Sequence, residues 1–182
     1  MQRKEQTSNA KRHLKDIFLT GLKDIYWAEL ALTKKLPEME AKATDVRLKT
    51  AIKDHCIQTY EQVARLEQVF ELMGEKAEGK KCLAMEGILK EGDESLADIP
   101  QGAGRDSVLI AACQKVEHYE ITSYGTLAAY AKTLNERQVQ QLLLRTLGEE
   151  KKSDCLLTTI ADTDLNSRAL SQSPQSKNLK AV

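Results

Sequence analysis

The sequence predicts an all-α protein: an up-down four-helix bundle of two antiparallel hairpins, with a short helix in the long crossover connection between them. Three observations lead there. Apolar residues recur at steps of three and four along most of the chain, the spacing that lines one face of a helix. Only 3 Pro and 9 Gly punctuate 182 residues, so long helices can run unbroken. No segment alternates apolar and polar residues over more than a few positions, as a half-buried strand would.

The first helix is expected over 8–40, with Leu14, Phe18, Leu22, Ile25, Leu32, Leu36 and Met39 on its inner stripe. Pro37, near its end, is expected to kink or terminate it. The second spans 45–73, striped by Leu48, Ile52, His55, Thr59, Gln62, Leu66, Val69 and Met73, and Gly74 reads as its C-cap. A shorter helix follows over 79–97. Residues 98–104, with one Pro and two Gly, form the clearest loop. The last two long helices, 105–134 and 136–164, meet at Asn135, a residue suited to a tight turn, and so form an antiparallel pair. One bundle domain is expected over 8–165. From 166 to 182 the chain is rich in Ser, Gln and Lys and is expected to be a flexible tail.

Composition narrows the function. Lys plus Arg equals Asp plus Glu at 27 each, which argues against a nucleic-acid-binding module. No run of apolar residues is long enough for a membrane span, and the polar N-terminus has no apolar signal core, so a cytoplasmic protein is expected. Cys56, Cys82, Cys113 and Cys155 are scattered without metal-finger spacing and read as reduced thiols.

The informative residues are polar ones on apolar stripes. Glu29 falls in the series Leu22, Ile25, Glu29, Leu32, Leu36. Glu120 sits in Leu109, Ala112, Val116, Glu120, Ser123, Leu127, with Glu117 one turn earlier. Glu150 and Asp154 follow each other in Val139, Leu143, Leu147, Glu150, Asp154, Leu157. The two halves also align: Glu29 is followed at matched distance by Gln58 and Gln62, as Glu120 is by Glu150 and Asp154, each pair on one helix face. Buried carboxylates are costly unless neutralised, paired or metal-bound. Acids converging from several helices are the arrangement of ferritin-like di-metal bundles. Each position alone has a plainer reading, as the polar margin of a stripe or part of a solvated run; the matched spacing joins them.

Residues 111–127, AACQKVEHYEITSYGTL, closely resemble the hallmark segment of the YciE/YciF ferritin-like stress-protein family. Residues 82–89 (CLAMEGIL), 147–154 (LGEEKKSD) and 62–70 (QVARLEQVF) resemble its connecting, fourth and second helices, so the resemblance covers 14–165. It implies a bacterial cytosolic protein that forms a homodimer, a stress-associated role, and iron or manganese as the metal. Carried over, Glu29, Glu120, Glu150 and Asp154 are expected ligands, joined by Glu117, with Gln58, Gln62 and His55 as weaker members. The chain departs at 55–59, HCIQT, where the family commonly carries two acids in place of Ile57 and Gln58. An amide is a weaker ligand for a hard cation than a carboxylate, so a partial site with substoichiometric or no metal is expected. Two functions stay open: a metal centre acting on oxygen or peroxide, and a non-catalytic dimeric scaffold without metal. No membrane or nucleic-acid partner is expected, and no residue is assigned a catalytic role.

Overall fold

Helix-forming stretches, caps and breakers divide the chain much as their chemistry dictates. The computed structural model describes residues 2–171, with side chains from Arg12 onward. Helix α1 (Gln2–Lys42) passes through Pro37 rather than ending there. Pro37 is exposed, so the ring lies on the water side, where the carbonyl of Thr33 that loses its N–H partner can be hydrated. Helix α2 (Val46–Leu72) starts at Asp45, whose carboxylate accepts the N–H of Arg47 at 2.9 Å. Gly74 follows its end at φ 71°, a left-handed conformation cheap for a residue without Cβ, while Glu75 N–H donates to the Phe70 carbonyl at 3.0 Å.

The chain then runs back along α1, where Lys80 N–H donates to the Lys23 carbonyl at 3.0 Å. Gly79 makes that approach feasible, because a Cβ there would sit 3.1 Å from Trp27 Cβ and 3.2 Å from its Cα. Helix α3 (Leu83–Leu96) is capped by Cys82, whose sulfur accepts Met85 N–H at 3.3 Å. It lays Met85 and Leu96 on the core against α4, and Lys35 and Lys42 of α1 both grip its Asp93, at 2.6 and 2.7 Å.

Helix α4 (Ala103–Leu134) and α5 (Arg137–Ile160) are joined by Asn135 at φ 68°, whose N–H bonds back to the carbonyl of Lys132. The last helix was expected to end near 164. Instead a five-residue π turn, Ala161–Leu165, leads into α6 (Asn166–Ser171). Residues 172–182 of the expected tail lie outside the described residues.

The four long helices are mutual neighbours in the order α1, α2, α5, α4 and back to α1. Their stripes meet in one core that includes Phe18, Leu22, Leu32, Leu48, Leu66, Phe70, Leu109, Tyr124, Leu127 and Leu143, all essentially without exposure. Each such side chain contributes about 1.5–3 kcal/mol relative to an exposed one. Tyr26 and Phe70 meet edge to face at 5.4 Å between ring centres.

One buried acid joins the two halves of the chain. Asp106, at the start of α4, accepts the N–H of Thr44 (2.8 Å), its hydroxyl (2.5 Å) and the N–H of Asp45 (2.8 Å). It thereby ties the corner between α1 and α2 to the second half of the chain. Asp106→Ala removes all three acceptor contacts at once. Urea unfolding is expected to show a loss of about 3 kcal/mol, with helix content of the folded state retained.

Candidate metal centre

Five side chains on four helices converge in the middle of the core. The stripe positions Glu29 of α1, His55 of α2, Glu117 and Glu120 of α4 and Glu150 of α5 are all buried, three of them at 0% exposure. Glu117 and Glu120 sit three apart and so share a face. The donor atoms of His55, Glu117, Glu120 and Glu150 all lie within 4.8 Å of one another. Ligands on opposite sides of one divalent ion stand about 4–5 Å apart, given ligand bonds of ~2.0–2.6 Å, so this spacing suits a single ion.

Neighbouring groups satisfy only one edge of the cluster. The Tyr124 hydroxyl donates to Glu29 Oε1, and the Gln62 amide donates to Glu150 Oε1. Ser153 donates to Glu117 Oε1 at 2.8 Å and stands 3.4 Å from His55 Nδ1. His55 Nε2 lies 3.5 Å from Glu117 and 3.9 Å from Glu150. The other side is bare: Glu29 Oε2, Glu117 Oε2, both oxygens of Glu120, Glu150 Oε2 and His55 Nε2 are buried with no hydrogen-bond partner. Buried polar atoms are normally partnered. Six orphaned acceptor-capable atoms in one place call for cations or protons.

Comparison with known proteins places this chain in a family. Residues 13–170 match the model of a domain of unknown function, DUF892. The chain belongs to the DUF892 family. It is 41% identical to Protein YciF of Escherichia coli K12 over 157 residues, 86% of this chain and 95% of that one. Its structure superposes on the crystal structure of the E. coli stress protein YciF with a TM-score of 0.78 and 39% identity, covering 88% of this chain and 98% of that one. A similar match is to YcfI of Rhodopseudomonas palustris, described as a candidate structural protein (TM-score 0.79, 40% identity, 80% and 93% coverage). A Xanthomonas campestris protein at 19% identity shares the fold, with a TM-score of 0.67 over 87% of this chain and 94% of that one.

Within this DUF892 chain, the residues singled out from sequence separate into two groups. Glu29, Glu117, Glu120, Glu150 and Gln62 come together, although Glu29 stands beside the tight group of four rather than in it. Asp154 does not join them. It accepts from Gln114 at 3.0 Å and lies 3.4 Å from His118 at the seam of α4 and α5, because four residues past Glu150 an α-helix has turned 40° further round. Gln58 also stays outside, lining an open cleft between α2 and α5. The contribution of α2 comes instead from His55, expected only as a weaker member, and from Gln62. Arg65 was not assigned inward, yet it is buried, donating to Thr146 at 2.5 Å and to Glu149 at 2.7 and 3.1 Å. Its long stem lets it reach across to α5 from the edge of the stripe. The guanidinium, with help from Gln62 and Arg145, outweighs the desolvation of Glu149 and lowers that carboxyl's pKa.

The central acids behave differently. Desolvation first, then repulsion from Glu150, lifts Glu29 to about 8. Desolvation likewise lifts Glu150 to about 7, and Glu117 and Glu120 rise well above the carboxylate range from burial and mutual repulsion. Burial pushes His55 down to about 4, keeping its imidazole neutral.

These shifts set the pH response of the metal-free protein. A carboxyl with a raised folded pKa contributes stability that is full below its unfolded value near 4.3 and is lost as pH rises through the folded value. His55, lowered on folding, acts oppositely, but only between about 4 and its unfolded value near 6.5. Above that, only the carboxyl contribution remains. The melting midpoint of chelator-treated protein is therefore expected to fall between about pH 6.5 and 8. Glu120→Gln, which removes one buried charge, is expected to flatten the fall in the same calorimetric series.

Proposed function

We propose that this chain is a stress-associated, ferritin-like four-helix bundle of the up-down, two-hairpin kind that binds one divalent iron or manganese ion at a reduced version of a di-metal carboxylate site. The neighbour order of the long helices, with α3 in the connection between the two halves, supports the topology. The stress role rests on the likeness to YciF. The observation that carries the metal reading is the set of unpartnered buried oxygens of Glu29, Glu117, Glu120 and Glu150 facing the unpartnered His55 Nε2.

In this reading His55, Glu117, Glu120 and Glu150 are the ligands, and Glu29 sits beside them as an added negative group. The donor set of one neutral nitrogen and several carboxylate oxygens suits Fe(II) or Mn(II) better than a soft thiolate-seeking metal. Tyr124 fixes one oxygen of Glu29, Gln62 fixes one of Glu150, and Ser153 fixes one of Glu117, leaving the other oxygen of each turned to the centre. Bound iron or manganese supplies one-electron chemistry toward oxygen or peroxide. Because α2 brings an imidazole and an amide but no carboxylate, occupancy by one ion, or less than one at low metal, fits the charge better than a bridged pair. The protein acts in the cytoplasm as a homodimer. Ile57 and Tyr60, one turn apart on the outer face of α2 and 55% and 59% exposed, supply apolar surface for a second copy. Neither a nucleic-acid nor a membrane partner is proposed. Among the described residues no helix is long and apolar enough to cross a membrane.

A second reading, a dimeric scaffold with no metal and no catalysis, is favoured by one observation: carboxyls whose pKa values reach 7 to 8 can hold protons at neutral pH and make the centre tolerable without a cation. The two readings part under metal titration. Purified protein loaded with Fe(II) or Mn(II) and dialysed is expected to retain about one ion per chain and to melt higher in proportion to free metal, and Glu120→Ala to lose both properties. Retention below ~0.2 ion per chain, unaltered by Glu120→Ala, would leave the scaffold.

A further inference from the structure

The centre is buried, so an ion must have a way in, and the seam between α2 and α5 offers one. Between α2 and α5 an open cleft of about 220 Å3 is bordered by Asp54, Gln58, Glu149 and Lys152. Next to it lies a smaller pocket with about 10 Å3 of water-sized space, which reaches Glu117 and is otherwise lined largely by apolar side chains. Space of that size holds about one water-sized particle. Three residues line both the outer cleft and the inner cavity: Ala51, His55 and Ser153. His55 and Ser153 thus stand between the outer cleft and Glu117 of the centre.

We propose that this cleft is the entry port of the metal centre, with His55 and Ser153 as its door. The inference rests on the metal reading above and adds how the ion arrives. Three features support it. The two halves of the door meet loosely, since the His55–Ser153 contact is a long 3.4 Å while Ser153 is held by Glu117 at 2.8 Å, and Ala51 beside them adds only a methyl group. His55 also belongs to the ligand group, so the residue an ion meets at the threshold is one that can bind it. A carboxylate stands outside as well as inside: Glu149 lines the cleft, and Gln62 donates both to it (3.3 Å) and to Glu150 of the centre. Arg65 holds Glu149 from the other side, so this outer acid can guide an ion without retaining it.

The charged groups facing the cleft are Asp54 and Glu149 on one side of the balance and Lys152, with Arg65 behind Glu149, on the other. Lys152 is therefore the brake on a cation's approach. Gln58, which the family resemblance suggested as a ligand, is in this arrangement part of the doorway.

The test is the rate of Mn(II) uptake by the full chain, followed by loss of the free-ion electron paramagnetic resonance signal, together with the end point. Gln58→Trp fills the cleft without entering the core and is expected to slow uptake about tenfold at an unchanged end point. Lys152→Glu, fully on the surface, is expected to speed uptake about threefold at low ionic strength, an advantage erased by high salt. Lys90→Glu on the far side of α3 serves as the control and should load as the parent does. Parent-like rates in both cleft variants would overturn the port, and so would a Gln58→Trp protein with a lowered end point, which would make Gln58 a ligand. A parent protein that takes up no Mn(II) would instead overturn the metal centre on which the port depends.

Discussion

Four buried carboxyl groups packed side by side dominate the physics of this molecule. Each alone would cost several kcal/mol to bury as an ion without a partner. Together they repel, and the nearest fixed cation, Arg65, is already engaged by Glu149. A protein could relieve such a cluster by packing apolar residues there instead, as it does over the rest of the same stripes. Keeping the acids requires positive charge from outside the cluster, and the two proposed readings differ in whether protons or a metal ion deliver it.

The surroundings fit that constraint. Tyr124 and Gln62 donate to the outer oxygens of Glu29 and Glu150, which holds the side chains in place while leaving the inner oxygens free. The helices that carry them are also tied away from the centre, by Asp106 at one corner and by Lys35, Lys42 and Asp93 along α3. Stability is thus placed away from the cluster, in apolar contacts and peripheral hydrogen bonds, and the middle is left to be tuned by what it holds.

Helix periodicity made most of this legible in advance. The series through Glu29, Glu120 and Glu150 identified inward acids because each is flanked on both sides by leucines or their equivalents at helical steps, and the turn residues Gly74 and Asn135 named their own left-handed conformations. What periodicity could not resolve was the margin of each stripe. Asp154 shares the step pattern with Glu150 yet faces Gln114 and His118, since a rotation of 40° decides between the core and the seam. Aligning the halves set Gln58 opposite Glu150, whereas α2 in fact turns His55 and Gln62 to the centre. The stripe Ile52, His55, Thr59, Gln62 held that information, but composition alone favours reading a core histidine as structural. Arg65 was illegible for another reason: where a long flexible side chain ends depends on partners in another helix. Pro37 misled because its cost depends on whether solvent can reach the carbonyl it abandons.

The π turn at Ala161–Leu165 carries a last consequence. One extra residue in the turn advances the register of everything after it by about 100°. Leu165 then points into the core while Arg168 swings over to Asp45 and Asp164, beside Arg47, completing a ring of alternating charges at the corner where α2 begins. The Asp45 side chain is only 7% exposed, but Arg47, Arg168 and Asp164 are about half exposed, so the pairs to Asp164 weaken most as ionic strength rises, whereas leucine burial does not. The C-terminal helix is therefore held at this corner by a buckle of ion pairs whose grip slackens as ionic strength rises, while Leu165 keeps the chain before it seated on the core.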